Sequence, residues 1–314
     1  MKLLEFNPGS FSKVEYNIGG INTYIYNSEV LKSYVESFSH HHREDIPINV
    51  LYLIHQREGN YTYTESIAYN ILKQYKSQTP LICITFDLRN HGARVINNQN
   101  NKGWSEGNKS HGVDMWSIIN GTIDDITLLM DQLPTYLNLE PYLNETSKNE
   151  HKVKFKYHNF LSGVSLGGHI VYRFALRYPN LVKIINPIIG STDLTSLLYT
   201  RLKGIDNYTK KYFYFEYDEL DLTEEERLEM YPETLHNQLS KVDTEIFESF
   251  PMGQVKLFAC FGGKDELVPF QLSKTWCDLY QGTNTESGIM VEDVGHDITE
   301  DMIIKFGQWL NKHV

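Results

Sequence analysis

Two runs of the chain, residues 48–54 (INVLYLI) and Leu81–Phe86 (LICITF), are apolar at nearly every position. A strand with one wet face alternates apolar and polar residues, whereas a continuous short run belongs to a strand buried on both faces. Such a strand must have helices above and below it. Helical apolar spacing does follow each run, at residues 64–75 and 115–137. The rhythm continues with a strand at Phe155–Val164, a helix at 167–178 stopped by Pro179, and strands at 183–189, 255–261 and 288–291. An amphipathic helix at 299–312 closes the chain. Strands alternating with helices predict an α/β fold, a mostly parallel central sheet with helices on both faces. At the start, residues 14–18 and 21–26 alternate around Gly19-Gly20 and read as a hairpin. The 314 residues suit a single α/β domain, 1–314. A charged, tyrosine-rich, helix-prone segment at about 193–250 interrupts the rhythm and is expected to be a lid or cap insert, with Thr223 capping a helical turn.

At the junction of the strand Phe155–Val164 and the helix after it the sequence reads GVSLGGH, residues 163–169. One turn needs one glycine; here three crowd a single hydroxyl, that of Ser165. A strand-to-helix turn that projects a serine needs a strained backbone, and its neighbours need to lack a Cβ where strand and helix close on each other. In an open parallel sheet ligands bind beyond the carboxyl ends of the strands. Ser165 lies there, at a helix N-terminus that favours developing negative charge.

A serine needs a base to become a nucleophile. The strand at 255–261 runs into Gly262-Gly263-Lys264-Asp265, and the next strand into Val294-Gly295-His296. Serine, acid and histidine thus each follow a strand's carboxyl end, in that order. With the turn Asp87-Leu88-Arg89-Asn90-His91-Gly92, a D-x-R-x-H-G match, this G-x-S-x-G chain resembles the α/β-hydrolase superfamily over nearly its whole length. The resemblance implies the α/β-hydrolase fold and a catalytic triad of Ser165 as nucleophile, His296 as general base and Asp265 as its orienting acid. Asp193 follows another strand and is the main rival for the acid; Asp293 and Asp297 are neighbours of His296 on the chain, which seldom gives the right geometry.

The resemblance also implies an oxyanion hole of two backbone N–H groups, one from Leu166 and one from the loop His55-Gln56-Arg57-Glu58-Gly59. Many relatives have His-Gly there, so Gln56 departs from the pattern; Arg57 is the first choice of donor and Gln56 the second. The loop at 94–115 follows a strand's carboxyl end, so Trp104 and His111 are candidate substrate contacts, with a self-packed surface loop as the bland alternative. With Arg89-Asn90-His91-Gly92-Ala93-Arg94, this loop resembles a group of fungal α/β-hydrolases of unsettled activity. His91 and His169 read as structural. The run His40-His41-His42 precedes a strand, away from the site, and reads as a solvated loop.

A formal charge of −11 argues against nucleic acid or an anionic membrane as the main partner. No run is long and apolar enough to span a bilayer, and the first residues lack a signal peptide's apolar core, which makes a cytoplasmic protein the expectation. Cys83, Cys260 and Cys277 lie far apart, which suits buried free thiols better than disulfides or zinc. No metal and no cofactor is called for. The reaction expected is hydrolysis of a small-molecule carboxylic ester or thioester through an acyl-enzyme. An acyltransferase or a carbon–carbon bond hydrolase could use the same triad, and a binding protein could use the same scaffold. The substrate's acyl and alcohol groups and the oligomeric state stay open.

Overall fold

The computed structural model describes residues 1–41, 45–144, 153–206, 208–284 and 286–314, with only the backbone at 39–41. His42 therefore lies outside the described residues, and the backbone at His40 and His41 ends a helix. An eight-stranded sheet forms the centre: β1 (Lys13–Ile18), β2 (Ile21–Tyr26), β3 (Ile46–Ile54), β4 (Leu81–Phe86), β5 (Phe155–Val164), β6 (Ile184–Ile188), β7 (Lys256–Gly262) and β8 (Gly288–Glu292). Their spatial order is β1-β2-β4-β3-β5-β6-β7-β8. The first two pairings in this order, β1 with β2 and β2 with β4, are antiparallel; the other five are parallel. The β1–β2 hairpin turns on Gly19 and Gly20, at φ 58° and 85°, as a two-residue turn with both φ positive requires.

Alternate residues of one strand feed opposite sides. Val50, Tyr52 and Ile54 of β3 join one core, and Leu51 and Leu53 the other. The same holds for Ile82, Ile84 and Phe86 against Leu81 and Cys83 in β4. That division explains the unbroken apolar runs: both pleats are dry. One face is covered by α1 (Val30–His41), α3 (His111–Leu137), α4 (Leu166–Arg177) and α7 (Gln271–Thr283), and the other by α2 (Tyr61–Gln74) and α8 (Glu300–His313). Two of these, α1 and α7, are absent from the pattern read along the sequence. Their signal is present but sparse: Leu31, Val35 and Phe38 in α1, and Leu272, Trp276 and Tyr280 in α7, all at helical spacing. All three cysteines are buried and free.

Between β6 and β7 the chain forms α5 (Leu194–Lys203), short helical turns at Tyr212–Tyr214, Tyr217–Glu219 and Glu226–Met230, and α6 (Glu233–Ser249). Thr223 caps the last turn: its Oγ1 accepts from the Glu226 N–H at 3.2 Å, and its own N–H donates to the Glu226 carboxylate at 2.7 Å. The aromatic stripe packs largely within this segment. Tyr212 meets Tyr199 and Phe215, Phe213 meets Phe247, and the Tyr217 hydroxyl donates to the Tyr231 carbonyl at 2.9 Å. The segment is tied to the sheet by a buried ion pair between Arg173 of α4 and Asp243 of α6. The second oxygen of Asp243 accepts from the Thr195 N–H at 2.6 Å and the Thr195 hydroxyl at 2.7 Å. Three helices, α4, α5 and α6, thus meet at one carboxylate.

Candidate active site

The turn that presents Ser165 is built by steric exclusion. Ser165 has φ 53° and ψ −106°, a conformation an L-residue holds only where its surroundings enforce it. They do: its N–H donates to the Ile188 carbonyl of β6 at 2.8 Å. A Cβ on Gly163 would lie 2.2 Å from the Gly167 carbonyl oxygen, and one on Gly167 would lie 2.2 Å from the Ile54 carbonyl oxygen of β3. On Gly168 it would lie 2.8 Å from the Cα of Gly190. The three glycines are therefore sites of backbone-to-backbone contact, where any other residue would force strand and helix apart.

His296 and Asp265 come to the serine on two adjacent loops. The β7–α7 loop and the β8–α8 loop are joined by backbone bonds from Gly263 N–H to the Glu292 carbonyl at 2.6 Å and from Lys264 N–H to the Val294 carbonyl at 2.9 Å. A Cβ on Gly262 would lie 2.3 Å from the Gly295 oxygen, so they are in contact. The Ser165 Oγ lies 2.8 Å from His296 Nε2, and His296 Nδ1 lies 2.7 Å from Asp265 Oδ2. A carboxylate can only accept, so Nδ1 carries the proton and Nε2 is the acceptor that faces the serine hydroxyl. The other oxygen of Asp265 accepts the N–H groups of Leu267 and Val268 at 2.9 and 2.8 Å, which fixes the carboxylate's orientation toward the ring.

Asp193 is occupied elsewhere. It caps α5, its Oδ1 accepting from the Ser196 N–H at 2.8 Å, and its Oδ2 pairs with Lys211 at 3.3 Å. Burial, with the nearby Asp243 charge, pushes its carboxyl above the usual carboxylate range. Asp293 pairs with Lys264, and Asp297 accepts from the N–H groups of Lys2 and Ile298.

Leu166 is the first residue of α4, so its N–H has no acceptor within the helix. The loop of Gln56 and Arg57 starts where β3 ends, at the Ile54 carbonyl that abuts Gly167. His55 braces that loop. Its Nδ1 donates to the Gln56 carbonyl at 2.7 Å and its Nε2 accepts the Leu88 N–H at 3.1 Å. Burial lowers its pKa to about 3, which keeps it neutral and able to do both. The Arg57 side chain donates to the Asn101 carbonyl at 2.7 Å, linking this loop to the segment before α3.

The 87–92 turn is structural in its bonding. Asp87 accepts the N–H groups of Tyr61 and Ala93, both at 2.8 Å, and fills the space where a Cβ on Gly92 would stand. Arg89 and Arg94 both pair with the buried Asp125 of α3. The side chains of Asn90, Asn101 and Asn108 bond to backbone groups between residues 90 and 102 and hold that part of the segment. Trp104 is half-buried in it, its indole N–H donating to the Lys109 carbonyl at 3.0 Å and its ring meeting His111 edge-on at 4.9 Å. His111 itself is buried, and burial beside Arg201 and Arg57 lowers its pKa to about 3. His169 is buried too, its Nδ1 accepting from the Ser191 N–H at 2.9 Å. Sequence reasoning missed Arg201, which reaches this region from α5: it donates to the Leu267 carbonyl at 2.8 Å and faces His111 Nε2 at 3.4 Å. No motif marks it, because its partners are set by tertiary contacts. Among the described residues no group of three or more His, Cys, Asp or Glu could hold a metal, and no helix is long and apolar enough to cross a membrane.

No family model and no curated protein sequence matches the chain. Solved structures do. TT1662 from Thermus thermophilus aligns with a TM-score of 0.56 at 14% identity, over 96% of this chain and 97% of its own. The esterase Pf2001 from Pyrococcus furiosus aligns with a TM-score of 0.53 at 13% identity, over 99% and 98%. FphF, a fluorophosphonate-binding serine hydrolase of Staphylococcus aureus, aligns with a TM-score of 0.50 at 15% identity, over 97% and 99%. At such identities the likeness concerns the fold, and the chain has the α/β-hydrolase fold.

Proposed function

We propose that this protein is a serine hydrolase that cleaves carboxylic esters or thioesters through an acyl-enzyme on Ser165. The observation that carries the reading is the unbroken relay from Ser165 Oγ to His296 Nε2 and from His296 Nδ1 to Asp265, at 2.8 and 2.7 Å. In this mechanism His296 takes the hydroxyl proton as Ser165 Oγ bonds to the acyl carbon, and Asp265 stabilises the imidazolium that forms. The tetrahedral oxyanion is received by the Leu166 N–H and by the N–H of Arg57, with Gln56 as the alternative donor. His296 then passes the proton to the leaving alcohol or thiol, and a water repeats the sequence to free the acid. FphF, one of the structures that share the fold, is described as fluorophosphonate-binding, which fits the reading without assigning a substrate. The insert at 193–250 acts as the lid, and the loop at 94–115, whose sequence resembles the fungal group and whose Lys109 pairs with Glu225 of the insert, joins it in roofing the site.

A fluorophosphonate probe is expected to place one adduct on the wild-type chain, located at Ser165 by peptide mass spectrometry, and none on Ser165→Ala. An adduct persisting in that variant rejects Ser165 as the nucleophile. The roof predicts a second result. Trp104→Ala should change the relative kcat/KM across an ester series of increasing chain length by about tenfold, the scale of a lost apolar contact. A uniform fall for all esters, with a lower melting temperature, would make Trp104 a packing residue only.

A further inference from the structure

Side chains along an extended strand alternate between the two faces of its sheet. In β6, Ile184 joins the core under α2 and α8, Ile185 joins the core under α4, and Ile188 returns to the α2–α8 side. Ile189 breaks this alternation. It follows Ile188 directly, yet it lies in the same core, fully buried. The cause is its backbone, which has φ 47°, in the left-handed region. The other non-glycine residues with positive φ, among the described ones, are Asn27, Glu58, Asn90, Asn138 and Ser165. Asparagine tolerates that region, whereas a β-branched side chain crowds its own backbone there, and of the six only Ile189 is β-branched.

Four consecutive residues at this bend hold the turn that presents the serine. The Ile188 carbonyl accepts the Ser165 N–H at 2.8 Å, and the Ile189 N–H donates to the Cys260 carbonyl of β7 at 2.8 Å. Gly190 stands against the first turn of α4: a Cβ on it would lie 2.6 Å from the carbonyl carbon of Gly168 and 3.0 Å from the His169 nitrogen. The Ser191 N–H donates to His169 Nδ1 at 2.9 Å, and the His169 N–H donates to the Ser165 carbonyl at 3.0 Å. With an ordinary extended backbone, residue 189 would send its side chain to the α4 side, where Gly190 and Gly168 now meet. The left-handed bend sends it to the opposite core and leaves bare backbone facing the serine's helix.

We infer that Ile189 is a positioning residue for Ser165. Its side chain anchors the bend in the α2–α8 core, and its branched Cβ leaves the backbone few other conformations. Anchor and branch together keep the Ile188 carbonyl on the Ser165 N–H and Gly190 on Gly168. A glycine at 189 would sit at φ 47° without strain, but it would have no anchor and the bend would be free to move. The inference rests on the serine hydrolase reading for what Ser165 does. His296 and Asp265 bond to each other on the loops after β8 and β7, so a loosened bend displaces the nucleophile and not the acid–base pair.

The test follows the second-order rate of fluorophosphonate labelling at Ser165, together with the low-field proton NMR signal of His296 Nδ1–H, the signature of its bond to Asp265. Ile189→Val keeps the branch and most of the anchor and should label as fast as wild type. Ile189→Gly should label more slowly by about tenfold to a hundredfold, the scale of a displacement of about 1 Å at a reacting group. Its His296 signal and its near-ultraviolet circular dichroism should stay those of the wild type. Ile189→Ala, which also lacks the anchor, should shift in the same direction and decides if the glycine variant does not fold. A folded glycine or alanine variant that labels at the wild-type rate overturns the inference. Slower labelling accompanied by loss of the His296 signal, or failure of both variants to fold, makes Ile189 a general packing residue and overturns it too. Absence of labelling at Ser165 in the wild type rejects the hydrolase reading itself, a result distinct from a labelled wild type with an equally fast variant.

Discussion

Asp265→Asn is expected to lower kcat by about 10⁴ for any ester the protein cleaves, while leaving the fold intact. The reason lies in which atom of the imidazole carries the proton. Asp265 accepts from His296 Nδ1 at 2.7 Å, and only that tautomer leaves Nε2 free to accept from Ser165. An asparagine there can turn its amide toward the ring and donate to Nδ1, placing the proton on Nε2, where it opposes the serine hydroxyl. The remaining bonds of Asp265, from Leu267 and Val268, can be kept by the amide oxygen, so the loop should hold its shape. Asp193→Asn is the control. Its carboxylate serves a helix cap and Lys211, so its loss should show in stability more than in turnover. Steady-state kinetics of both variants decide the matter: an active Asp265→Asn beside an inactive Asp193→Asn would transfer the acid's role to Asp193.

The largest expected effect on stability is at Asp243. Asp243→Ala leaves the guanidinium of Arg173, 2% exposed, without its counter-ion, and strips the acceptor from both the Thr195 N–H and its hydroxyl. Breaking one side of a buried ion pair costs about 3–5 kcal/mol, because the partner stays charged and dry. Arg173 has little to fall back on: its Nε already lacks an acceptor, and its remaining bonds go to the His169 and Ser191 carbonyls. Urea denaturation of Asp243→Ala should therefore show a much lower midpoint. The double variant Arg173→Met with Asp243→Leu should recover most of the loss, since replacing the whole pair by apolar groups removes the stranded charge. A single variant as stable as wild type would mean that water reaches Arg173.

These two carboxylates also mark what the sequence reveals and what it hides. The strands are legible because burial on both faces leaves a signal that needs no knowledge of partners: LICITF can hardly lie at a surface. The Ser165 turn is legible because backbone collisions demand glycine at fixed chain offsets, three of them within six residues. Charge pairing leaves no such mark. Arg173 and Asp243 are 70 residues apart, and nothing in either neighbourhood indicates that they meet. Arg201, whose anchors are a distant carbonyl and a distant ring, is equally unmarked. Helices α1 and α7 escape notice for a different reason: each sets a short apolar stripe among many polar residues, too thin to stand out from a loop. The aromatic stripe at 212–217 is conspicuous in sequence, yet two of its members, Tyr212 and Phe213, are buried within the insert.

The bracing between the last two strand-end loops has a mechanical consequence. Acid and base ride on loops locked together by the Gly263 and Lys264 backbone bonds and by the contact of Gly262 with Gly295. The serine is locked separately, to β6 through Ile188 and to β3 through the Gly167 contact. The two braced parts meet at the 2.8 Å bond between Ser165 and His296, and the β6–β7 pairing, with the Ile189 N–H donating to the Cys260 carbonyl at 2.8 Å, holds them in register. The distance from nucleophile to base is therefore set by the strand pairing beneath it, and only a change that parts β7 from β6 would lengthen it while the histidine kept its carboxylate.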